Sequence, residues 1–193
     1  MINIYSIDTK EVEKYYQKEL FGTTTADDFS VSEETNKEEI KEFAKSLLIK
    51  RFVSERTNKD LYFSTSFSGH YYLIAISDKQ IGIDIQRFIE IDTRLINYAF
   101  DKSERSDKIN EADFARVSAL KKSLMKCAKI KEEVKLNDLS SNECDGSYMF
   151  DNDNYVSLAK IYKEHYYIAI TYKGNFVDNI KINEINMEEI IGD

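Results

Sequence analysis

The stretch QIGIDIQRF, residues 80–88, decides how the rest of the chain is read. Side chains alternate faces along a strand, so Gly82, Asp84 and Gln86 point one way and Ile81, Ile83 and Ile85 the other. An isoleucine face this regular belongs against a core. On the opposite face the glycine leaves room for something to approach the backbone beside Asp84. Gln86 stands where a second acid would have completed a carboxylate pair. Taken alone, the pattern equally describes a strand with an exposed polar face.

Its surroundings read as a mixed α and β chain. MINIYSI alternates as a strand, and DTKEVEKYYQKEL follows as a helix with Asp8 or Thr9 available to cap it. A longer helix is predicted from Lys37 to Glu55, with Ile40, Phe43 and Leu47 near one face. Residues 61–67 and 70–77 read as strands. The turn at 78–80 predicts that 70–86 forms a hairpin. Further on come a helix from Ala112 to Lys129 and a hairpin from YVSLAKIYKE and HYYIAITYKG. HYYLIAIS at 70–77 and HYYIAIT at 165–171 echo one another, and each contains one of the two histidines. The echo admits two readings, convergent strand composition or two similar halves, each with a helix before a hairpin.

Composition bounds the function. With 193 residues the chain is long enough for a real core, and 42% hydrophobic with 32% charged is ordinary for a folded protein. A net charge of −8 argues against non-specific nucleic-acid binding, which needs a basic footprint. Cys127 and Cys144 have no metal-ligand spacing and read as free thiols. No signal peptide and no membrane-spanning run is visible, so the expectation is a cytoplasmic protein without a membrane partner.

The helix RVSALKKSLMKCAKI carries two stripes. Val117, Leu120, Leu124 and Cys127 recur at helical spacing and read as core. Ser118, Lys122, Lys126 and Lys129 form a second stripe, a cationic surface in an acidic chain. A solvated lysine face explains it, and so does a site for phosphate or an acidic partner.

Together STSFSGHYYLIAISDKQIGIDIQ and LKKSLMK resemble the 4'-phosphopantetheinyl transferases of the larger, monomeric, two-half class. That family shows a Ser-His-Ser-Gly run, a Gly-(Ile/Val)-Asp-(Ile/Val)-Glu strand, and a later helix with Trp-x-x-Lys-Glu-(Ser/Ala)-x-x-Lys. YAFDKSE at 98–104 is similar to its Phe-Phe-x-x-x-Glu segment, and KSLLIKRFVSER at 45–56 to the helix before the core. The likeness covers roughly 150 residues and is most specific at the two motifs. It implies an α+β fold of two subdomains, 1–92 and 93–193, each with a helix on a small, mainly antiparallel sheet, related by a pseudo-twofold. It also implies transfer of phosphopantetheine from coenzyme A to a serine of an acyl or peptidyl carrier protein. A magnesium ion would sit on the diphosphate.

Carried across, the family's strand aspartate falls on Asp84, the one remaining candidate metal ligand. Its second acid falls on Gln86, the helix glutamate on Lys122, the histidine on Phe67 and the tryptophan on Ser118. Ser66, Ser68, Gly69, Gly82, Lys121 and Lys126 match. Lys50 or Arg51 stands where the family has a basic residue near the nucleotide phosphate, and Lys59 is the nearest equivalent of its loop lysine. By this carry-over the catalytic positions are Asp84, Gln86, Lys122 and Lys126. The coenzyme A contacts are Lys50, Arg51, Ser66, Phe67, Ser68, Gly69 and Lys121.

Two expected carboxylates are missing and one position has reversed sign. Like charges about 4 Å apart repel by about 4 kcal/mol at an effective dielectric of ~20, so Lys122 disfavours magnesium. The expectation is that Lys122 has taken the metal's place beside Asp84. The favoured function is a transferase-like protein with lost or strongly reduced magnesium-dependent transfer and a retained binding role toward coenzyme A or a carrier protein. One alternative is an active transferase whose metal is re-supplied by Glu90, Glu104, Glu111 or Asp113. Another is a module used purely for protein–protein contact.

Overall fold

The structure, a computed structural model, describes residues 2–21, 33–52, 61–106, 108–131, 133–139, 146–150, 153–175 and 181–187. Side chains at 16–21, 33–37, 50–52 and 146–150 lie outside that description. The chain is mixed α and β. In order it forms β1 (Ile2–Asp8), α1 (Thr9–Phe21), α2 (Glu33–Phe52), β2 (Tyr62–Ser68), β3 (Tyr71–Ser77) and β4 (Ile81–Arg87). There follow α3 (Thr93–Ala99), α4 (Glu111–Ala128), a short 3-10 turn (Leu136–Asp138), β5 (Gly146–Phe150), β6 (Asp153–Tyr162), β7 (Tyr166–Lys173) and β8 (Ile182–Ile185).

These strands make two four-stranded sheets, β2-β3-β1-β8 and β4-β7-β6-β5. All neighbours are antiparallel except β1 and β8, which are parallel. The inner faces meet in one apolar layer that holds Ile2, Ile4, Leu73 and Ala75 from one sheet. Ile81, Ile83, Ile85, Ile168 and Ile170 come from the other. Helix α2 covers the outer face of the first sheet, where Ile40, Ala44 and Leu48 pack with Tyr5, Ile7, Tyr72, Ile74 and Ile76. Its buried stripe therefore runs through Ala44 and Leu48, with Phe43 and Leu47 at the margin. Helix α4 covers the second sheet through Ala119, Leu120, Leu124 and Cys127. Asn110 caps α4 in a reciprocal pair with Asp113, which satisfies donors that a helix start leaves open.

The hairpin expected over 70–86 does not form. β3 has β1 on one edge and β2 on the other, so neither edge is free for β4, which pairs with β7 instead. Residues 1–92 hold β4 together with the strands of the first sheet, whereas β4 pairs in the second; the sheets part at the turn 78–80, and β8 returns to the first. The hairpin of β6 and β7 is present as read.

With the strands placed this way, the HYY echo gains a physical meaning. β3 and β7 are both central strands. Asp8 pairs with Tyr71 as Arg87 pairs with Tyr166. The residue that follows each partner strand, Thr9 or Phe88, donates its N–H to the carbonyl of His70 or His165, at 2.7 and 2.8 Å. Each sheet thus has a strand, then helices, then a strand hairpinned to the central strand, and the second adds β5 between its helices and that hairpin.

Candidate functional site

Asp84 lies on the face of β4 that α4 covers, and it is 3% exposed. Gly82 sets how closely that helix sits. A methyl group there would overlap the carbonyl oxygen of Ser123 and lie 2.6 Å from the backbone nitrogen of Cys127. The room left by the glycine is filled by α4 itself, not by a ligand.

Both carboxylate oxygens of Asp84 are taken by the protein. Oδ1 accepts from Ser66 Oγ at 3.0 Å and from Lys126 Nζ at 2.7 Å. Oδ2 accepts from Gln86 Nε2 at 2.6 Å. The Lys126 ammonium also donates to the carbonyls of Ile83, at 2.9 Å, and Thr65, at 3.1 Å. Its three N–H donors therefore have three oxygens, and the buried carboxylate of Asp84 is both paired and hydrogen-bonded. Lys126 thus ties α4 to β4 and β2 at one point.

This corrects the expectation for Lys122. The cation beside Asp84 is Lys126, one helical turn further on, while Lys122 is half-buried and makes no ion pair among the described residues. Ser118, two turns before Lys126 on the same stripe, is 1% exposed and its hydroxyl has no partner among the described residues. The stripe is therefore not a uniformly solvated face.

Lys121 is not available to a cofactor either. It is fully buried, with Nζ 2.7 Å from Glu104 Oε2 and 2.7 Å from the carbonyl of Ala99. This pair joins α4 to the segment after α3, and Glu104 also accepts the N–H of Asp101. Its Oε2 is thereby taken up within the protein. Asp113 is committed to the cap of α4. No group of three His, Cys, Asp or Glu side chains close enough for a metal occurs among the described residues.

The serines of β2 act mainly on the backbone. Ser64, Ser66 and Ser68 accept the N–H groups of Ile83, Ile85 and Arg87 at 3.1, 3.2 and 3.1 Å. Hydroxyls thus replace the carbonyls of an ordinary ladder along the seam between the two sheets. This ladder was missed in the sequence, although the Ser-x-Ser-x-Ser spacing over 64–68 carries it. Phe67 points the other way, into the α2 cluster, with Lys41 Nζ 4.6 Å above its ring. It does not join the Asp84 site. Gly69 adopts a left-handed turn, φ +60°, packed against the Tyr166 hydroxyl. The side chains of Lys50 and Arg51, and Lys59 as a whole, lie outside the described residues.

A magnesium ion does not fit the donors gathered here. Asp84 is the single acid among Gln86, Lys122 and Lys126, and an ammonium already occupies the favourable position on it. Nor is Cys127 a nucleophile, because burial pushes its thiol up to about 12. What the site offers is cationic: Lys122 is unpaired among the described residues, whereas the donors of Lys126 are already taken. Among the described residues no helix is long and apolar enough to cross a membrane. Comparison of the chain with protein-family models and with curated proteins finds no match.

Proposed function

We propose that the chain is a 4'-phosphopantetheinyl transferase-like protein in which Lys126 holds Asp84 in place of a metal ion. Magnesium-dependent transfer is lost or strongly reduced, and a binding role toward coenzyme A or a carrier protein is retained. The observation that carries this reading is the saturation of Asp84 by Ser66, Lys126 and Gln86. The resembled family also has a lysine at the position of Lys126. Here Gln86 and Lys122 leave Asp84 as the site's one carboxylate, so that lysine has a single acid to pair with. A metal-bridged diphosphate would normally draw several kcal/mol of transition-state stabilisation from the ion, and lysine supplies a point charge without octahedral geometry or bound water.

The reading of an active transferase with a rebuilt site draws nothing from Glu104, which pairs with Lys121, or from Asp113, which caps a helix. Binding and transfer are separable by experiment. Titration of the chain with coenzyme A should give the same affinity in magnesium and in chelator, and lower affinity after Lys122→Ala. Labelled coenzyme A with an apo carrier protein should give no labelled carrier. Magnesium-dependent labelling would overturn the proposal; an absence of coenzyme A binding would leave protein–protein contact as the role.

A further inference from the structure

β2 ends the first sheet and β4 ends the second, and the two strands adjoin along the serine ladder. Among the described residues no backbone–backbone hydrogen bond joins them. The N–H groups of Ile83, Ile85 and Arg87 rest instead on the hydroxyls of Ser64, Ser66 and Ser68. Such bonds can pass to water one residue at a time, so this seam is looser than a backbone ladder.

Little apolar contact holds β2 in place. Ser66 is its single buried residue, and no residue of β2 belongs to the layer between the sheets. Phe67 alone reaches the α2 cluster, at its margin, and the one ladder of β2 is with β3. A strand with one backbone neighbour and few core contacts lies at the low end of local stability. Two side-chain ties cross the seam besides the serine ladder. Ser66 Oγ donates to Asp84, and Lys126 donates to the Thr65 carbonyl on β2 and to the Ile83 carbonyl and Asp84 carboxylate on β4. One lysine from α4 thus fastens both strands, directly in front of a carboxylate that is 3% exposed.

We infer that β2 is a flap that swings off β4, that Lys126 is its latch, and that solvent reaches Asp84 through this opening. The motion is a property of the strands and needs no ligand, so it does not rest on the transferase-like reading.

Amide hydrogen exchange of the isotopically labelled full chain reads the two sides of β4 separately. The N–H groups of Ile83 and Ile85 face β2. Those of Asp84 and Gln86 face β7 by alternation, as the Phe88 N–H does in reaching the carbonyl of His165. Ile83 and Ile85 should exchange about tenfold faster than Asp84 and Gln86. Fraying from the strand end does not imitate this, because it would release Gln86 before Ile83. The Ile85 amide rests on Ser66, itself bonded to Asp84, so its exchange reports water at the carboxylate. Lys126→Met is made together with Asp84→Asn, so that no buried carboxylate is stranded. Against Asp84→Asn alone it should speed Ile83 and Ile85 about tenfold and leave positions 84 and 86 unchanged. The inference is overturned by equal protection from 83 to 86 or by slower exchange at Ile83 and Ile85. It is also overturned if the lysine variant speeds all four amides alike, which would make Lys126 a strut for the whole strand. Should the double variant fail to fold, the alternation in the parent chain decides by itself.

Discussion

The two sheets each pair a central strand with an earlier strand across intervening helices, but they seat those helices differently. By register against the central strands, Asn3 of β1 stands where Gly82 stands in β4, and Tyr5 stands where Asp84 does. Tyr5 is buried with Ile40, Ala44 and Leu48, so the first half closes through apolar contact. In the second half the glycine brings α4 against β4, and an acid paired with Lys126 takes the aromatic's place. The same strand position can thus finish a core or hold a polar site, depending on the residue two before it. A glycine admits the helix closely enough for a lysine on it to reach across the strand.

Exchanging residues between the halves should break them unequally. Tyr5→Asp would place a carboxylate among the apolar side chains of the α2 cluster. The loss should be the largest, about 3–5 kcal/mol in chemical denaturation, by analogy with stranding a buried charge. Gly82→Ala should cost about 1–3 kcal/mol, because its methyl group meets the backbone of Ser123 and Cys127 rather than movable side-chain ends. Asn3→Gly, the reciprocal change, should cost far less, and equal losses would deny that the two seatings differ.

A smaller effect depends on pH. Burial raises the Cys127 thiol from its ordinary 9.0 to about 12. The folded state therefore favours the neutral thiol, and that contribution is complete below pH 9. It is lost as pH climbs from 9 toward 12, where the unfolded chain gives up a proton that the folded chain keeps. The slope is about 1.4 kcal/mol per pH unit for such a group. Stability measured across this range should fall less steeply in Cys127→Ala than in the parent chain. Parallel slopes would mean that the thiol is open to solvent.

Much of this was legible in the sequence because the governing signals were local. The isoleucine alternation of 81–85, the stripe of Val117, Leu120, Leu124 and Cys127, and the HYY echo all reappear in the packed structure. The misreadings concern where local segments go next. Nothing between 70 and 86 says that both edges of β3 are already taken, so a turn flanked by strands read as a hairpin. Phe67 followed a motif position, but strand alternation sends it away from its flanking serines. For Lys121, sequence supplied a cation and the fold supplied Glu104, with the carbonyl of Ala99, to bury it. Lys122 and Lys126 share a stripe, and only the placement of α4 along β4 decides which one reaches Asp84.

The claim that Asp84 is held by the protein's own cation rather than by a metal is open to one direct measurement. Manganese(II) added with coenzyme A to the isotopically labelled chain broadens amide resonances close to any bound ion. The account predicts that Ile83, Asp84 and Ile85 keep their line widths at concentrations that saturate coenzyme A binding. Broadening centred on Asp84 would contradict it.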